Sequence, residues 1–337
     1  MKNVNSKWLY LIVLALIWGS SFILIKKSLL GLSPYQLGAL RTIITGIFLF
    51  AVGFNSIKSI KKHEWKWVIL TGFLGSFIPA FLFAIAETEI DSAVTSILNS
   101  LVPLNTVLLG FAIFKIASTK RQVLGVIIGF IGTSILIFKG AELNPNQNYL
   151  FAGYIIIATL MYAANVNIIK KHLQNTKPLS IATGNYVAII IPAIVILCFT
   201  DFFNENTYSH PDFKMSMVYV VILSLFGTAL AKVLFNTLVQ ISTPVFASSV
   251  TYLMPLVALV WGILDGNDSE KAEKAIEKTT EFFHSIGIKT KLSEYTSEFE
   301  GAAKEIETRF ESRGMTGIGE RGTLTPQDVK KIVEMSY

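Results

Sequence analysis

The chain has 337 residues, 52% of them hydrophobic and only 15% charged, with a formal net charge of +6. That apolar excess excludes an ordinary soluble domain. Because most bases flank apolar runs, the positive balance reads as membrane topology, not as nucleic-acid binding.

A membrane helix takes roughly 20 mainly apolar residues. Nine segments qualify in chain order: 8–29, 34–54, 65–86, 91–114, 121–138, 150–169, 178–199, 214–239 and 244–264. The first resembles a signal peptide at its basic start. It is nevertheless long enough to span and lacks a small-residue cleavage site, so it reads as a retained helix. Turn chemistry at Ser33-Pro34, Asn144-Pro145-Asn146 and Lys177-Pro178 separates segments. Runs this continuously apolar pair their own backbone as helices and not as barrel strands. With the N-terminus inside, the inner segments hold twelve Lys/Arg and the outer ones only Lys26, Lys27, Lys139 and Lys214. That asymmetry places the N-terminus in the cytoplasm of a multi-pass protein of the bacterial cell (inner) membrane. Glu87, Glu89 and Asp91 form the one acidic cluster of this apolar body and are expected in a solvated outer loop.

The segments repeat. At a constant offset of 152, Gly75 falls on Gly227, Leu82-Phe83 on Leu234-Phe235, Ser96 on Ser248, Pro103-Leu104 on Pro255-Leu256 and Gly110 on Gly262. At offset 144, Trp18 falls on Tyr162, Lys26-Lys27 on Lys170-Lys171 and Pro34 on Pro178. Equivalent helices are five segments apart, an odd number, so the two copies are expected upside down to one another, as in many secondary transporters. The fold class is therefore an all-α membrane protein: an inverted repeat of five-helix units with the tenth helix missing, plus a small helical soluble tail. Residues 1–139 form the first repeat, 140–266 a four-helix second repeat, and 267–337 the tail.

The run Leu16-Ile17-Trp18-Gly19-Ser20-Ser21-Phe22, then Leu40-Arg41, then Ser96 through Leu104, resembles the EamA-type drug/metabolite transporter superfamily. Tyr252-Leu253-Met254-Pro255-Leu256-Val257-Ala258 and Trp261-Gly262 resemble the same family's second repeat. The resemblance covers about residues 8–266. It implies ten helices in two inverted halves, a central cavity, and transport of small metabolites by alternating access, often export.

Ten residues are candidates for a cavity wall. Arg41 lies in an apolar helix, where a charge is expensive. It faces either a wet cavity or, by snorkelling, the outer interface. Lys232 has apolar helix on both sides, and its first-copy equivalent is Ala80, so this lysine belongs to one half only. It serves either substrate or coupling chemistry, or a structural hydrogen bond. Asn99 and Asn105 bracket Pro103, and Tyr252 precedes Pro255. Proline frees a carbonyl one turn earlier, and half-broken helices are where transporter sites form. The same small and amide side chains also glue membrane helices together. Trp18 and Ser20 align with Tyr162 and Ala164, beside Asn165. These groups suit either a wall for an amphiphilic small molecule or close helix packing. Asn236 completes the set. Neither a catalytic motif nor a metal-ligand spacing stands out, and the four histidines are scattered. Neither an enzyme nor a cofactor is expected.

Cys198, the single cysteine, permits no intrachain disulfide. In the tail, Ser269 is an N-cap for a helix stopped by Gly287, a second helix carries Ala303, Ile306 and Phe310 and ends at Gly314, and Thr325-Pro326 starts a third. Ala275-Ile276-Glu277-Lys278, Phe282-Phe283, Gly287 through Ser293, Gly314-Met315-Thr316, Gly319-Glu320 and Thr325 resemble the extreme C-terminus of iron-containing, NAD(P)H-dependent alcohol dehydrogenases. That family's iron site and dinucleotide domain lie upstream of such a tail and have no counterpart in this chain, so no ligand carries over. A junction between unrelated genes is the reading this favours.

The expected partners are the lipid bilayer and a small-molecule substrate, with no nucleic acid; oligomeric state is open. The rival readings are a truncated or chimeric membrane protein without transport activity, and a membrane-anchored oxidoreductase.

Overall fold

Every apolar segment folds as helix, as backbone pairing in lipid demands. The computed structural model describes residues 2–143, 148–265, 291, 301–315 and 325–334. The helices are α1 (Lys2–Ser28), α2 (Pro34–Gly53), α3 (Trp65–Ala86), α4 (Ser92–Phe114), α5 (Lys120–Leu143), α6 (Ala152–His172), α7 (Pro178–Cys198), α8 (Phe213–Ile241) and α9 (Pro244–Asp265). Eight of these, all but α5, are long and apolar enough to cross a membrane among the described residues. The chain is an all-α membrane protein.

Local chemistry sets the ends. Ser33 and Gln36 form a reciprocal capping box at the start of α2: Gln36 N donates to Ser33 Oγ at 3.3 Å and Ser33 N to Gln36 Oε1 at 2.9 Å, with Pro34 as first helical residue. The duplicated lysines finish two helices. Lys26 Nζ donates to the carbonyl of Glu87 at the end of α3, at 2.9 Å. Lys170 Nζ donates to the carbonyls of Val239, Gln240 and Ser242 at the end of α8, at 3.4, 3.3 and 2.6 Å. Val239 stands 152 residues after Glu87, so the repeated lysine caps the repeated helix.

Helices α4 and α9, which carry the repeated Pro103 and Pro255, break where freed carbonyls were expected. In α4 the α-helix Ser92–Asn99 gives way to a turn before Val102–Leu109; in α9 the helix Pro244–Ser248 passes through a 3₁₀ turn, Ser249–Tyr252, before Met254–Asp265. The two breaks meet. Ser100 Oγ donates to the carbonyl of Thr251 at 2.9 Å. Helices α3 and α8 share another irregularity, π-helical turns at Phe73–Phe77 and Leu223–Leu230, again at equivalent places in the two copies.

Most of the extensive packing joins one copy to the other: α1 and α2 lie on α8, α2 on α7, and α3 and α4 on α6. Two apolar clusters result, one around Leu37, Leu49, Tyr186 and Leu223, the other around Leu14, Val68, Ile169 and Leu238. Outward faces such as Leu9, Ile12 and Leu16 on α1, or Ile191 and Ile194 on α7, are exposed and apolar, which suits lipid contact.

The chain divides into two units, Met1–Leu264 and Asp265–Tyr337. In the second, α10 (Ala302–Ser312) ends in a Schellman motif: Met315 N donates to the carbonyl of Phe310 and Gly314 N to that of Glu311, with Gly314 at φ +60°. Helix α11 (Pro326–Glu334) starts with a Thr325–Asp328 box, and Lys330 pairs with Glu307 at 3.2 Å. The expected helix from Ser269 to Gly287 lies outside the described residues.

Candidate functional site

A cavity of about 110 Å³ lies inside the first unit, walled by α1–α4 and α6–α9. A single water needs roughly 10–15 Å³ measured this way, so there is room for several waters or a small solute. Its polar wall carries Ser21, Arg41, Ser76, Asn99, Asn165, Thr228 and Lys232; Trp18, Phe22, Phe83, Phe235 and Met254 supply much of the apolar wall.

The π turn of α8 sets up the polar side. In such a turn backbone hydrogen bonding is displaced by one residue, which offers carbonyls to side chains. Trp18 Nε1 donates to Gly227 O at 3.0 Å, Thr45 Oγ1 to Ser224 O at 3.0 Å and Thr228 Oγ1 to Leu223 O at 3.1 Å. Arg41 Nε then donates to Thr228 Oγ1 at 2.8 Å. Arg41 thus points into the cavity instead of reaching the outer interface. Lys232, only 7% exposed, donates from Nζ to Ser76 Oγ at 2.7 Å.

Two glycines let the halves approach across this wall. A Cβ on Gly75 would stand 2.5 Å from Asn165 Cγ, and one on Gly227 would stand 2.7 Å from Ser21 Oγ. Gly75 and Gly227 are repeat equivalents, and so are Ser21 and Asn165. Each copy therefore offers its glycine to the other copy's small polar residue, the exchange that a two-fold relation between the halves requires.

Seven of the ten residues singled out in the sequence sit on this wall: Trp18, Arg41, Asn99, Tyr162, Asn165, Lys232 and Asn236. Three do not. Ser20 faces α9 and accepts from Trp261 Nε1 at 2.7 Å, while its neighbour Ser21 lines the cavity. Asn105 donates from Nδ2 to Thr159 Oγ1 at 2.9 Å, an α4–α6 tie. The Tyr252 hydroxyl reaches the carbonyl of Val126 at 3.4 Å on α5, and Thr251 takes the lining position. In each case helix phase decides, since adjacent residues lie about 100° apart on a helix. Ser76, Thr228 and Tyr186 were missed. Ser76 and Thr228 carry a signal in hindsight: each follows the repeated glycine.

The expected solvated acidic loop needs correction. Glu89 is exposed, but Glu87 is 0% exposed. Its Oε2 accepts from Ser92 Oγ at 2.9 Å and its Oε1 has no partner. Burial pushes its carboxyl well above the usual range, opposed by the Ser92 hydrogen bond and by the charges of Lys26 and Arg41. Two contacts hold this inward turn: Lys26 donates to the carbonyl of Glu87 and Ser92 to its carboxyl.

The model of the EamA-like transporter family matches residues 6–138 and 150–265. The chain belongs to the EamA-like transporter family. An uncharacterized transporter of Archaeoglobus fulgidus is 28% identical over 186 residues, 55% of this chain and 65% of that protein, so the chain spans a little under two thirds of that relative. The inner membrane transporter YedA of Escherichia coli strain K12, itself uncharacterized, is 24% identical over 78% of this chain and 84% of its own length. An S-adenosylmethionine/S-adenosylhomocysteine transporter of Chlamydia muridarum is 22% identical over 74% of this chain and 81% of its own. One crystal structure superposes with a TM-score of 0.59 at 16% identity, covering 78% of this chain and 88% of that one, a likeness of fold alone. The protein is a membrane transporter of small molecules. The match to the family ends at residue 265, so it does not bear on the alcohol dehydrogenase resemblance of the tail.

Proposed function

We propose that this member of the family moves small organic metabolites outward across a bacterial inner membrane by alternating access, with its N-terminus in the cytoplasm. The supporting observation is the exchanged pair of contacts, Gly75 with Asn165 and Gly227 with Ser21, which flank the cavity. With an odd number of spans between equivalent helices, a two-fold relation inverts one half against the other. Rocking the halves about the cavity then opens it to either side in turn. The first copy comprises residues 1–139 and the second 140–266, with the tail appended from another gene.

Flux into proteoliposomes tests this. The expected result is saturable uptake of at least one solute from a broad amino-acid and metabolite panel, reduced by Lys232→Met. No saturable, Lys232-sensitive flux across that panel would overturn the proposal. A second reading, a membrane protein without transport activity, is supported by the imbalance between five helices in the first copy and four in the second among the described residues. The same assay decides between them.

A further inference from the structure

The cavity gathers positive charge and no negative charge. Arg41 and Lys232 both line it, none of its lining residues is acidic, and among the described residues neither cation forms an ion pair. Their hydrogen-bond partners are the neutral hydroxyls of Thr228 and Ser76. Both attach to one stretch of α8, since Arg41 holds Thr228 and Lys232 follows four residues later. A cation at membrane depth without a counter-ion is costly, so a site with two of them is completed by an anion from outside. Glu87 does not fill that role. It lies beyond the end of α3 and outside the lining, and although the charge of Arg41 reaches it, burial favours its neutral carboxyl, whose Oε2 accepts from Ser92. The rest of the wall is uncharged, with apolar and aromatic side chains beside neutral polar ones such as Ser21, Asn99 and Asn165.

We propose, resting on the transport reading above, that the solute class is a small organic anion. Its carboxylate-type head sits by Arg41 and Lys232, and its apolar or aromatic body lies against Trp18, Phe22, Phe83 and Phe235. Guanidinium and ammonium donors make shorter, stronger hydrogen bonds to carboxylate than to neutral oxygens. The aromatic wall offers the apolar contact that most small-molecule pockets use. Asn99 Oδ1 and Asn165 Oδ1, buried and without partners, are further acceptors for any hydrogen-bond donor on that body.

The test uses the purified full chain and three probes of one shape: 3-phenylpropionate, 3-phenylpropan-1-ol and 3-phenylpropylamine. Titration calorimetry is expected to show the anion binding at least ten-fold more tightly than the alcohol, with the amine weakest. Lys232→Met removes the charge and keeps an apolar stem, and is expected to weaken the anion ten-fold or more and to narrow its preference over the alcohol. Arg41→Met is a second variant with the same expected direction, should the first fail to fold. Equal or tighter binding of the amine, anion affinity indifferent to both variants, or no binding of any probe would overturn the proposal. Flux of the same probes in proteoliposomes separates the two readings. Anion binding without flux removes transport and leaves the anion site standing, whereas flux favouring the amine removes the anion site and leaves transport standing.

Discussion

The indole Nε1 of Trp18 donates to the backbone carbonyl of Gly227 at 3.0 Å, tying the first helix of one copy to the π turn of the other. The same ring packs on Phe235 with centroids 5.0 Å apart. Trp18→Phe keeps an aromatic at that contact and removes only the donor. A hydrogen bond of this kind contributes on the order of 1 kcal/mol net, and leaving the carbonyl unpaired adds a desolvation penalty of about 1–3 kcal/mol. The expected outcome is a loss of about 1–2 kcal/mol in unfolding free energy with the helical circular dichroism unchanged. Denaturant unfolding in detergent checks it, and an unchanged midpoint counts against the assignment.

The close approach at Gly75 makes a sharper demand. A methyl group there would overlap the Asn165 amide at 2.5 Å, and overpacking of this kind typically costs about 1–3 kcal/mol. Gly75→Ala is therefore expected to lower thermal stability. Asn165→Ala in the same chain removes the obstructing amide and is expected to restore most of the loss. Additive losses in the double variant would show that the two residues do not press on one another.

How much of this was legible in the sequence depends on the length scale. Nine helices, the breaks before Pro103 and Pro255, and the glycine pair follow from composition and from spacing at a fixed offset. Single-residue phase does not. Ser20 and Ser21 are chemically alike and adjacent, yet one faces Trp261 and the other the cavity. Nor does the sequence tell a loop carboxylate in water from one folded inward. Glu87, unlike the exposed Glu89, has its carbonyl held by Lys26 across 61 residues and its carboxyl by Ser92. The structure also gives the duplicated Lys26 and Lys170 a reason for their repetition: each closes a helix.

That capping role carries its own prediction. Lys170 reaches three carbonyls and Lys26 one. Hydrogen bonds from charged donors are worth about 1.5–3 kcal/mol. Lys170→Met is expected to destabilise more than Lys26→Met, because it leaves more of α8's terminal carbonyls unpaired. Hydrogen exchange should show faster opening confined to the end of α8 in the first case and to the end of α3 in the second. Equal effects, or protection lost evenly along the chain, would argue that the lysines only set topology.

Glu87 makes stability depend on pH in a direction opposite to most carboxylates. Burial favours its neutral form and raises its folded-state pKa, while in the unfolded chain it titrates near the ordinary value of about 4.3. Between those two values the folded protein holds a proton that the unfolded chain has released. Stability is therefore full below the unfolded pKa and falls as pH rises through the folded one. Glu87→Gln places a neutral amide in the same space and removes the titration. The melting temperature of the wild type is expected to decline from mildly acidic toward neutral pH, and the decline is expected to shrink in the Gln variant. The groups facing this carboxyl — Ser92, Lys26, Arg41 and Asp91 — stay in place in both proteins, so the difference between the two pH profiles isolates Glu87. Parallel profiles would mean that the carboxyl is ionised in the folded state despite its burial, with Lys26 and Arg41 holding its charge.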